Sequence, residues 1–466
     1  MKKTINKTTS KMAIFAGAAA LMALTPNTHA QTTVDDLLNK LEQKGVLTVD
    51  EADQLKAENT TNSAADFNQA FNSKFPMPDW VTSYKLSGDF RGRYDERTTP
   101  NPAQEDNIRL RYRLRVGLEI NMKDNLQVGF RLGSADPNSS NALGGSPVSN
   151  NTTLQGNGTK KFIYVDEAYG RWTPVKNDTW MVAGTIGKMP NDYPFQVTPM
   201  VLDPDYTPEG GAIQTSYKIN DKNSVAVSGA AFVLSYSGSS AQNMSFLYGA
   251  QAMWNANWTD HVSSSLGISA FDIVNRDQLT SAAAGAGNSG NSLVGAGGPP
   301  LDSLNPVVVD ASVTYKLVDF PFYKGAFPIK LAGEYLKNPG APGSGGMAGT
   351  GTPGAGIEPN GNQGYAVGVT FGHADKQGTW DIGYRYQALD ANAWYAQIVN
   401  DDNLVYSAGF PGGTNIKGHL FTADYAFTDA LLFSFTCYVN SMIGNTNPGG
   451  ASSSAIHAMA DLMWKF

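Results

Sequence analysis

The chain has 466 residues, a formal net charge of −7, one cysteine and 11% aromatic residues. An acidic balance of this kind is not typical of a general nucleic-acid binder, and a lone cysteine cannot form a disulfide within the chain. After the N-terminus there is no apolar run long enough to cross a membrane as a helix. Abundant glycine and aromatic residues fit many short strands joined by polar loops.

Residues 1–30 have the organisation of a secretory signal peptide. Four lysines at positions 2, 3, 7 and 11 surround the start of the segment, an apolar run covers residues 12–24, and Ala30 ends a small-residue cleavage site. The apolar run is too short to be a membrane anchor. We therefore expect an exported chain whose mature form begins near Gln31.

Residues 31–60 predict a small α-helical hairpin. Thr33 is placed as the cap of a first helix, Gly45 suits its C-terminal end, and Thr48 to Glu51 form a capping box for a second helix. So short a hairpin has too little apolar surface to be stable alone. It is expected in the periplasm, either as an oligomerisation element or as a mobile appendage, and residues 61–82 follow it as a polar linker.

From residue 83 to residue 466 the apolar residues recur with a period of two, which predicts β-strands. The candidate strands are 83–95, 107–121, 125–134, 161–173, 179–188, 211–219, 223–234, 245–257, 262–272, 306–317, 328–337, 363–372, 378–388, 416–427, 430–440 and 456–466. Short and long connections alternate between them, which is typical of outer-membrane barrels with short periplasmic turns and long external loops. A propeller or a β-helix would show an internal sequence repeat, and none is found. The predicted fold class is all-β: a transmembrane antiparallel β-barrel of about sixteen strands behind the helical hairpin.

The stretch from Ile108 to Ile120 shows the alternation most clearly, because its apolar residues are separated by arginines. An arginine facing the middle of the lipid costs about 2–4 kcal/mol, so these side chains must face the lumen. By the same parity, the predicted basic pore lining comprises Arg91, Arg93, Arg109, Arg111, Arg113, Arg115 and Arg131.

The third external loop, predicted over residues 189–212, contains five prolines and several apolar residues that are unusual for a free surface loop. If it folds inward, its acids could face the arginines: Asp192, Asp203, Asp205 and Glu209. Opposite charges across a water-filled gap would create a transverse field that selects among solutes. The alternative is that the arginines only pair with nearby acids and support the barrel. The sequence leaves both open.

The last strand carries Trp464 and Phe466 on one face. It resembles the terminal strand of Gram-negative outer-membrane proteins, whose final aromatic residue is read by the membrane-insertion machinery. With the loop rhythm and the signal peptide, nearly the whole mature chain resembles Gram-negative porins. It is similar in particular to the "putative porin" family, whose members carry a short helical segment before the barrel. This resemblance implies an outer-membrane location in contact with lipid, a third loop that narrows the pore, and a homotrimer.

A catalytic function is not expected. Of the histidines in the mature chain, His261 and His373 fall in predicted periplasmic turns, while His419 and His457 stand alone on strands. No Cys/His spacing suggests a metal site, and no cofactor is implied. The expected function is passive diffusion of small hydrophilic solutes and ions. The alternatives are a channel selective for sugars or oxyanions, and a structural or adhesive barrel.

Overall fold

The computed structural model describes residues 78–101, 105–138, 141–236, 244–279, 288–294, 298–341, 361–407, 410–445, 447 and 451–466. The predicted signal peptide, the helical hairpin and most of the linker lie outside these residues. Asp79–Phe466 forms one compact unit. Within the described part of the chain, no helix has both the length and the apolar character needed to cross a membrane.

Sixteen long antiparallel strands form a closed barrel, as the sequence predicted. They are β1 Val81–Thr98, β2 Asn107–Met122, β3 Leu126–Ser134, β4 Ile163–Lys176, β5 Trp180–Lys188, β6 Glu209–Asn220, β7 Asn223–Tyr236, β8 Met244–Asn257, β9 Val262–Val274, β10 Val307–Leu317, β11 Phe327–Lys337, β12 Gln363–Gly372, β13 Trp380–Leu389, β14 Ile416–Ala426, β15 Leu431–Met442 and β16 Ala455–Lys465. The first strand begins inside the predicted linker, and every predicted strand has its counterpart.

Each strand pairs with the next one in sequence, and β16 pairs with β1 to close the barrel. The C-terminal residue takes part in this closure. The amide of Gly88 donates to the carbonyl of Phe466 over 2.7 Å, and the amide of Phe466 donates back over 3.1 Å. Closure leaves no strand edge unpaired, which is what a sheet needs in order to lie in lipid.

The two faces of the barrel wall follow the sequence alternation. On β2, Ile108 and Leu110 are more than half exposed on the outside, whereas Arg111 and Arg113 are buried on the inside. Exposed aromatic residues collect near the ends of the strands that join the short turns, namely Trp80, Trp172, Trp180, Trp258, Trp464 and Phe466. Such a belt suits the boundary between lipid and water, where an aromatic ring meets both phases.

Two long loops enter the barrel: the third loop, residues 189–208 between β5 and β6, and the seventh loop, residues 390–415 between β13 and β14. Both contribute buried apolar side chains to one cluster, which also contains inward-facing residues of β7 to β13 such as Phe232 and Leu336. The apolar core of this protein therefore lies inside the barrel, between the loops and one part of the wall.

Candidate pore constriction

The third loop crosses the lumen. In the middle of the loop, the amide of Gln196 donates to the side chain of Gln251 on β8 over 2.9 Å, and the Thr198 hydroxyl donates to Glu334 on β11 over 2.6 Å. At its far end, Asp205 binds arginines on β2. In a closed sheet of sixteen strands, β2 lies opposite the region of β8 to β11. A segment that binds both must span the interior.

Apolar packing explains why this loop leaves the solvent. Phe195 is buried against Phe271 of β9, with ring centroids 5.2 Å apart, and against Phe232 of β7 at 6.3 Å. Gly249 on β8 leaves room for the Phe195 ring, because a side chain at that position would lie 2.5 Å from a ring atom. The transfer of one such ring out of water contributes about 1.5–3 kcal/mol.

The seventh loop also lies inside the barrel and packs along the third. Trp394 is completely buried, and its indole nitrogen donates to the carbonyl of Val201 over 2.8 Å. The amide of Asp203 donates to the carbonyl of Ile398, also over 2.8 Å. We call the two packed loops together, residues 189–208 and 390–407, the crossbar.

Two asparagines of the fifth loop, the buried Asn288 and the half-buried Asn291, also hold the crossbar. The side chain of Asn291 donates to the carbonyls of Ala391 and Trp394, both over 2.7 Å. Asn288 does the same for two further carbonyls, those of Ala396 and Val399. The carbonyl of Ala391 also accepts the Thr414 hydroxyl, whereas the other three carbonyls would be left without a donor in the described structure, at a cost of about 1–3 kcal/mol each.

The inward arginines of β1 and β2 form a dense patch that we call the arginine wall. It comprises Arg91, Arg93, Arg97, Arg109, Arg111, Arg113 and Arg115. Within the described residues, these seven side chains lie within 4 Å of five carboxylates, those of Asp89, Asp95, Asp205, Asp402 and Asp461. Positive charge is therefore in local excess, and the buried Nε atoms of four of these arginines have no hydrogen-bond acceptor in the described structure.

Two of the five carboxylates come from the crossbar. Oδ1 of Asp205 in the third loop lies 3.2 Å from Nη1 of both Arg113 and Arg115. Oδ2 of Asp402 in the seventh loop lies 3.0 Å from Nη1 of Arg93. At these positions loop acid and wall arginine are in direct contact, and no water-filled gap separates them.

The four acids predicted for the third loop occupy different surroundings. Asp205 alone among them binds the arginine wall, since Oδ1 of Asp203 accepts the amide of Asp205 instead. Glu209 lies on β6 and pairs with Lys188 of β5 at 3.2 Å. Asp192 has no hydrogen bond or ion pair to another residue of the described structure. Arg131 on β3 is separate as well, paired with Asp166 and Glu167 of β4.

The loop carboxylates have shifted pKa values with identifiable causes. Burial raises the pKa of Asp203 well above its ordinary value, and the neighbouring Asp401 adds to the effect. Burial, followed by repulsion from Asp402, raises the pKa of Asp401 to about 7. For Asp205 and Asp402 burial acts in the same direction, but the arginines beside them outweigh it and keep both pKa values below the ordinary value.

Two cavities flank the crossbar. One of about 620 Å³ lies among the second, third and seventh loops, with Tyr164 and Lys188 at the loop ends of β4 and β5 in its lining. The other, of about 490 Å³, is lined by residues 196–199 of the third loop and by the half of β8 to β14 nearer the short turns, including Lys330 and Thr370.

Comparison with known proteins gives a family for part of the chain. Residues 99–293 match a family model described as "Putative porin". No curated protein matches the sequence.

Among solved structures, the chain is similar to the high-pH structure of Pseudomonas putida OprB, with 11% identity, a TM-score of 0.48, and coverage of 82% of this chain and 94% of that one. It is also similar to Salmonella typhi OmpF in complex with daunomycin, with 11% identity, a TM-score of 0.46 and coverage of 82% and 97%. The loop L8 deletion mutant of Vibrio cholerae OmpT gives 13% identity, a TM-score of 0.43 and coverage of 83% and 100%.

Within the described residues, His419 and His457 lie apart on β14 and β16 and do not form a catalytic arrangement. His457 is completely buried in the arginine wall, with Nε2 3.3 Å from Asp95 and Nδ1 bonded to the carbonyl of Asp402. His419 faces outward and bonds to the hydroxyl of Tyr384 over 2.9 Å. Within the described residues no cluster of side chains could hold a metal ion. The family match points to an outer-membrane channel rather than an enzyme.

Sequence reasoning missed the seventh loop. Residues 390–407 carry Trp394, Tyr395, Ile398 and Val399, the same excess of apolar side chains that indicated an inward fold for the third loop. Asp401 and Asp402 follow this apolar stretch directly, as Asp203 and Asp205 follow Val201 and Leu202. The shared signal, an external loop too apolar to lie in water, was therefore present in the sequence.

Proposed function

We propose that this protein is an outer-membrane channel for passive diffusion of small hydrophilic solutes and ions, narrowed by the crossbar. The observation that carries the proposal is the set of contacts that tie the third loop to opposite walls, Gln196 to Gln251 on one side and Asp205 to Arg113 and Arg115 on the other. A sixteen-stranded porin barrel is wide enough for an aqueous channel, so a loop across it limits what passes.

In this proposal the arginine wall anchors the crossbar. Direct pairing at 3.0–3.2 Å supports a bracing role for Arg93, Arg113 and Arg115 over an eyelet with a transverse field, which needs separated charges. The other four arginines of the wall outnumber the carboxylates that lie beside them. Their excess positive charge gives the channel a mild preference for anions.

We also propose that the chain reaches the outer membrane through its signal peptide and is inserted by the assembly machinery, which reads Trp464 and Phe466. A homotrimer embedded in outer-membrane lipid is the proposed assembly. The exposed aromatic belt and the apolar outer face of the strands support a lipid environment.

Liposome swelling tests the proposed function. Vesicles that contain the folded barrel should swell in a graded series of neutral polyols and sugars, with rates that fall smoothly as solute size rises. With different KCl concentrations on the two sides of a planar bilayer, the reversal potential should have the sign expected of a pore that prefers anions. A folded barrel that neither conducts ions nor admits any solute of the series would refute a channel and favour a structural or adhesive barrel. A rate that stands far above the size trend for one sugar would favour a substrate-selective channel.

Recordings in the same planar bilayer distinguish a bracing role of the arginines from an effect on ion selectivity. Under the bracing role, Asp205→Asn frees the far end of the third loop, so current noise and mean conductance rise. Arg111 has no ion pair with a crossbar carboxylate within 4 Å in the described structure, so Arg111→Glu should change the reversal potential with little effect on noise. Unchanged noise in Asp205→Asn would contradict bracing.

A further inference from the structure

The 490 Å³ cavity beside the crossbar has features of a built site, and we call it the wall cavity. Its floor is a depression in the wall made by small residues on three adjacent strands: Ala332 on β11, Ala366 and Gly368 on β12, and Gly383 on β13. A side chain at Gly383 would lie 2.4 Å from the hydroxyl of Thr422, and one at Gly368 would lie 3.1 Å from Cβ of Arg385. The small residues keep this space open.

Charged groups of both signs surround the depression and lack full pairing. Lys330 has no ion pair within 4 Å and no hydrogen bond to another described residue. The buried Nε of Arg385 has no acceptor there, and the buried Oδ2 of Asp310 has no donor. An unpaired buried polar atom is costly, so Arg385 and Asp310 gain from a solute that supplies their partner, whereas Lys330 is exposed and therefore accessible to the same solute.

The remaining lining combines apolar residues, such as Val197 and Leu420, with polar groups, some of which are already paired. Both carboxylate oxygens of Glu334 accept hydrogen bonds from Thr198 of the third loop, which forms the roof. The hydroxyls of Ser265 and Ser312 bond to each other over 2.8 Å. Among the charged groups of the lining, those left for a solute are the two cations on β11 and β13 and the one carboxylate on β10, and the hydroxyls of Thr370 and Thr422 also line the cavity.

This pattern favours one chemical class of solute. A single anion would satisfy the cations but leave Asp310 unpaired, and a single cation would do the reverse. The aromatic residue in the lining, Tyr384, points its ring to the outer face, where its hydroxyl bonds to His419. It offers no inward ring on which the apolar face of a sugar could stack. A compact solute with one carboxylate and one ammonium group matches all three unpaired groups.

We propose that the wall cavity is a transient binding site for zwitterionic solutes of the amino-acid class, on the path through the barrel. The carboxylate of the solute would lie towards Lys330 and Arg385, and its ammonium group towards Asp310. This inference rests on the proposed channel function. It names a preferred solute class for a pore that also admits other small hydrophilic molecules.

Swelling of proteoliposomes in serine and in erythritol tests the site, because the two solutes are similar in size and only serine is a zwitterion near pH 7. The wild-type barrel should admit serine faster than erythritol. Lys330→Gln and Asp310→Asn should each lower the serine-to-erythritol ratio by about threefold to tenfold, the effect of one lost hydrogen bond. The matched control is Lys316→Gln, an inward lysine on β10 outside the cavity lining, which should leave the ratio unchanged.

The erythritol rate reports whether each variant folds and conducts. If erythritol does not enter through the wild-type barrel, the proposed channel function fails and the site is not reached. If erythritol enters normally and the ratio is the same in wild type, Lys330→Gln and Asp310→Asn, the zwitterion site is refuted while the channel stands. A Lys330-dependent preference for erythritol would refute it too and assign the cavity to neutral polyols. Arg385→Gln provides a second variant should either of the others fail to fold.

Discussion

Trp394 is one of the residues through which the seventh loop holds the third, so its replacement should loosen the crossbar without opening the barrel. The indole ring is completely buried, lies 5.5 Å from the ring of Phe271 on β9, and donates to the carbonyl of Val201. It belongs to a loop and makes no strand-pairing hydrogen bond. Its loss should therefore affect the crossbar and leave the sixteen paired strands intact.

The contacts of Trp394 give the free-energy cost that is expected for two variants. Trp394→Phe keeps an aromatic ring but leaves the buried carbonyl of Val201 without its donor, which costs about 1–3 kcal/mol. Trp394→Ala also removes the packing of the ring, and such truncations cost about 3–5 kcal/mol. Since each 1.4 kcal/mol is a factor of about ten in a population, Trp394→Ala should raise the fraction of time that the crossbar is undocked by roughly a hundredfold or more.

Single-channel recording measures this directly. Trp394→Ala should show frequent excursions to higher conductance, and Trp394→Phe should show fewer of them, while both barrels keep the heat-modifiable migration of a folded barrel in gel electrophoresis. The matched control is Trp172→Phe, which changes an exposed tryptophan on the outer face of β4. If the recordings of Trp394→Ala and the wild type are indistinguishable, the crossbar does not set the conductance.

Three further changes probe the charges and supports of the crossbar. Asp402→Asn removes a carboxylate 3.0 Å from Arg93, so the unfolding temperature should fall and the reversal potential should shift towards anions; no change in either would contradict the pairing. Because the pKa of Asp401 is raised to about 7, this side chain takes up a proton as the pH falls from 8 to 6. The reversal potential should therefore shift towards anions on acidification, and Asp401→Asn should abolish that part of the shift. Asn291→Ala removes two donors to seventh-loop carbonyls and should increase current noise, as Trp394→Phe does; a quiet channel would show that the fifth loop is not a support.

The strands of this barrel could be predicted because the alternation of apolar and polar residues that determines them lies within each segment of sequence. On β2 the apolar residues alternate with Arg, Gly and Glu residues. Because lipid lies on one side of the wall and water on the other, only the orientation with the apolar side chains towards lipid is stable. The facing of Arg111 and Arg113 follows from the same parity. The inward fold of the third loop could be expected as well, from apolar residues such as Phe195 and Val201 that have no place on a free surface.

The partners of the loop residues could not be predicted from the sequence. Asp203 and Asp205 are two positions apart, yet one binds the backbone of the loop and the other binds the arginine wall, because the path of the loop is set by packing against Trp394 and the wall. Asp402 is more than 300 residues from Arg93 in sequence, and no local pattern relates them. Tertiary contacts of this kind are fixed by the whole fold and not by any one segment.

The central claim is that a water-filled path runs through the barrel beside the crossbar. The most direct test is the single-channel conductance of the wild-type protein in the presence of polyethylene glycols of increasing size. The account predicts uniform conductance steps that small polymers reduce and large polymers do not, with a size limit that rises in Trp394→Ala. A folded barrel that gives no steps, or steps whose size limit is the same in both proteins, would contradict it.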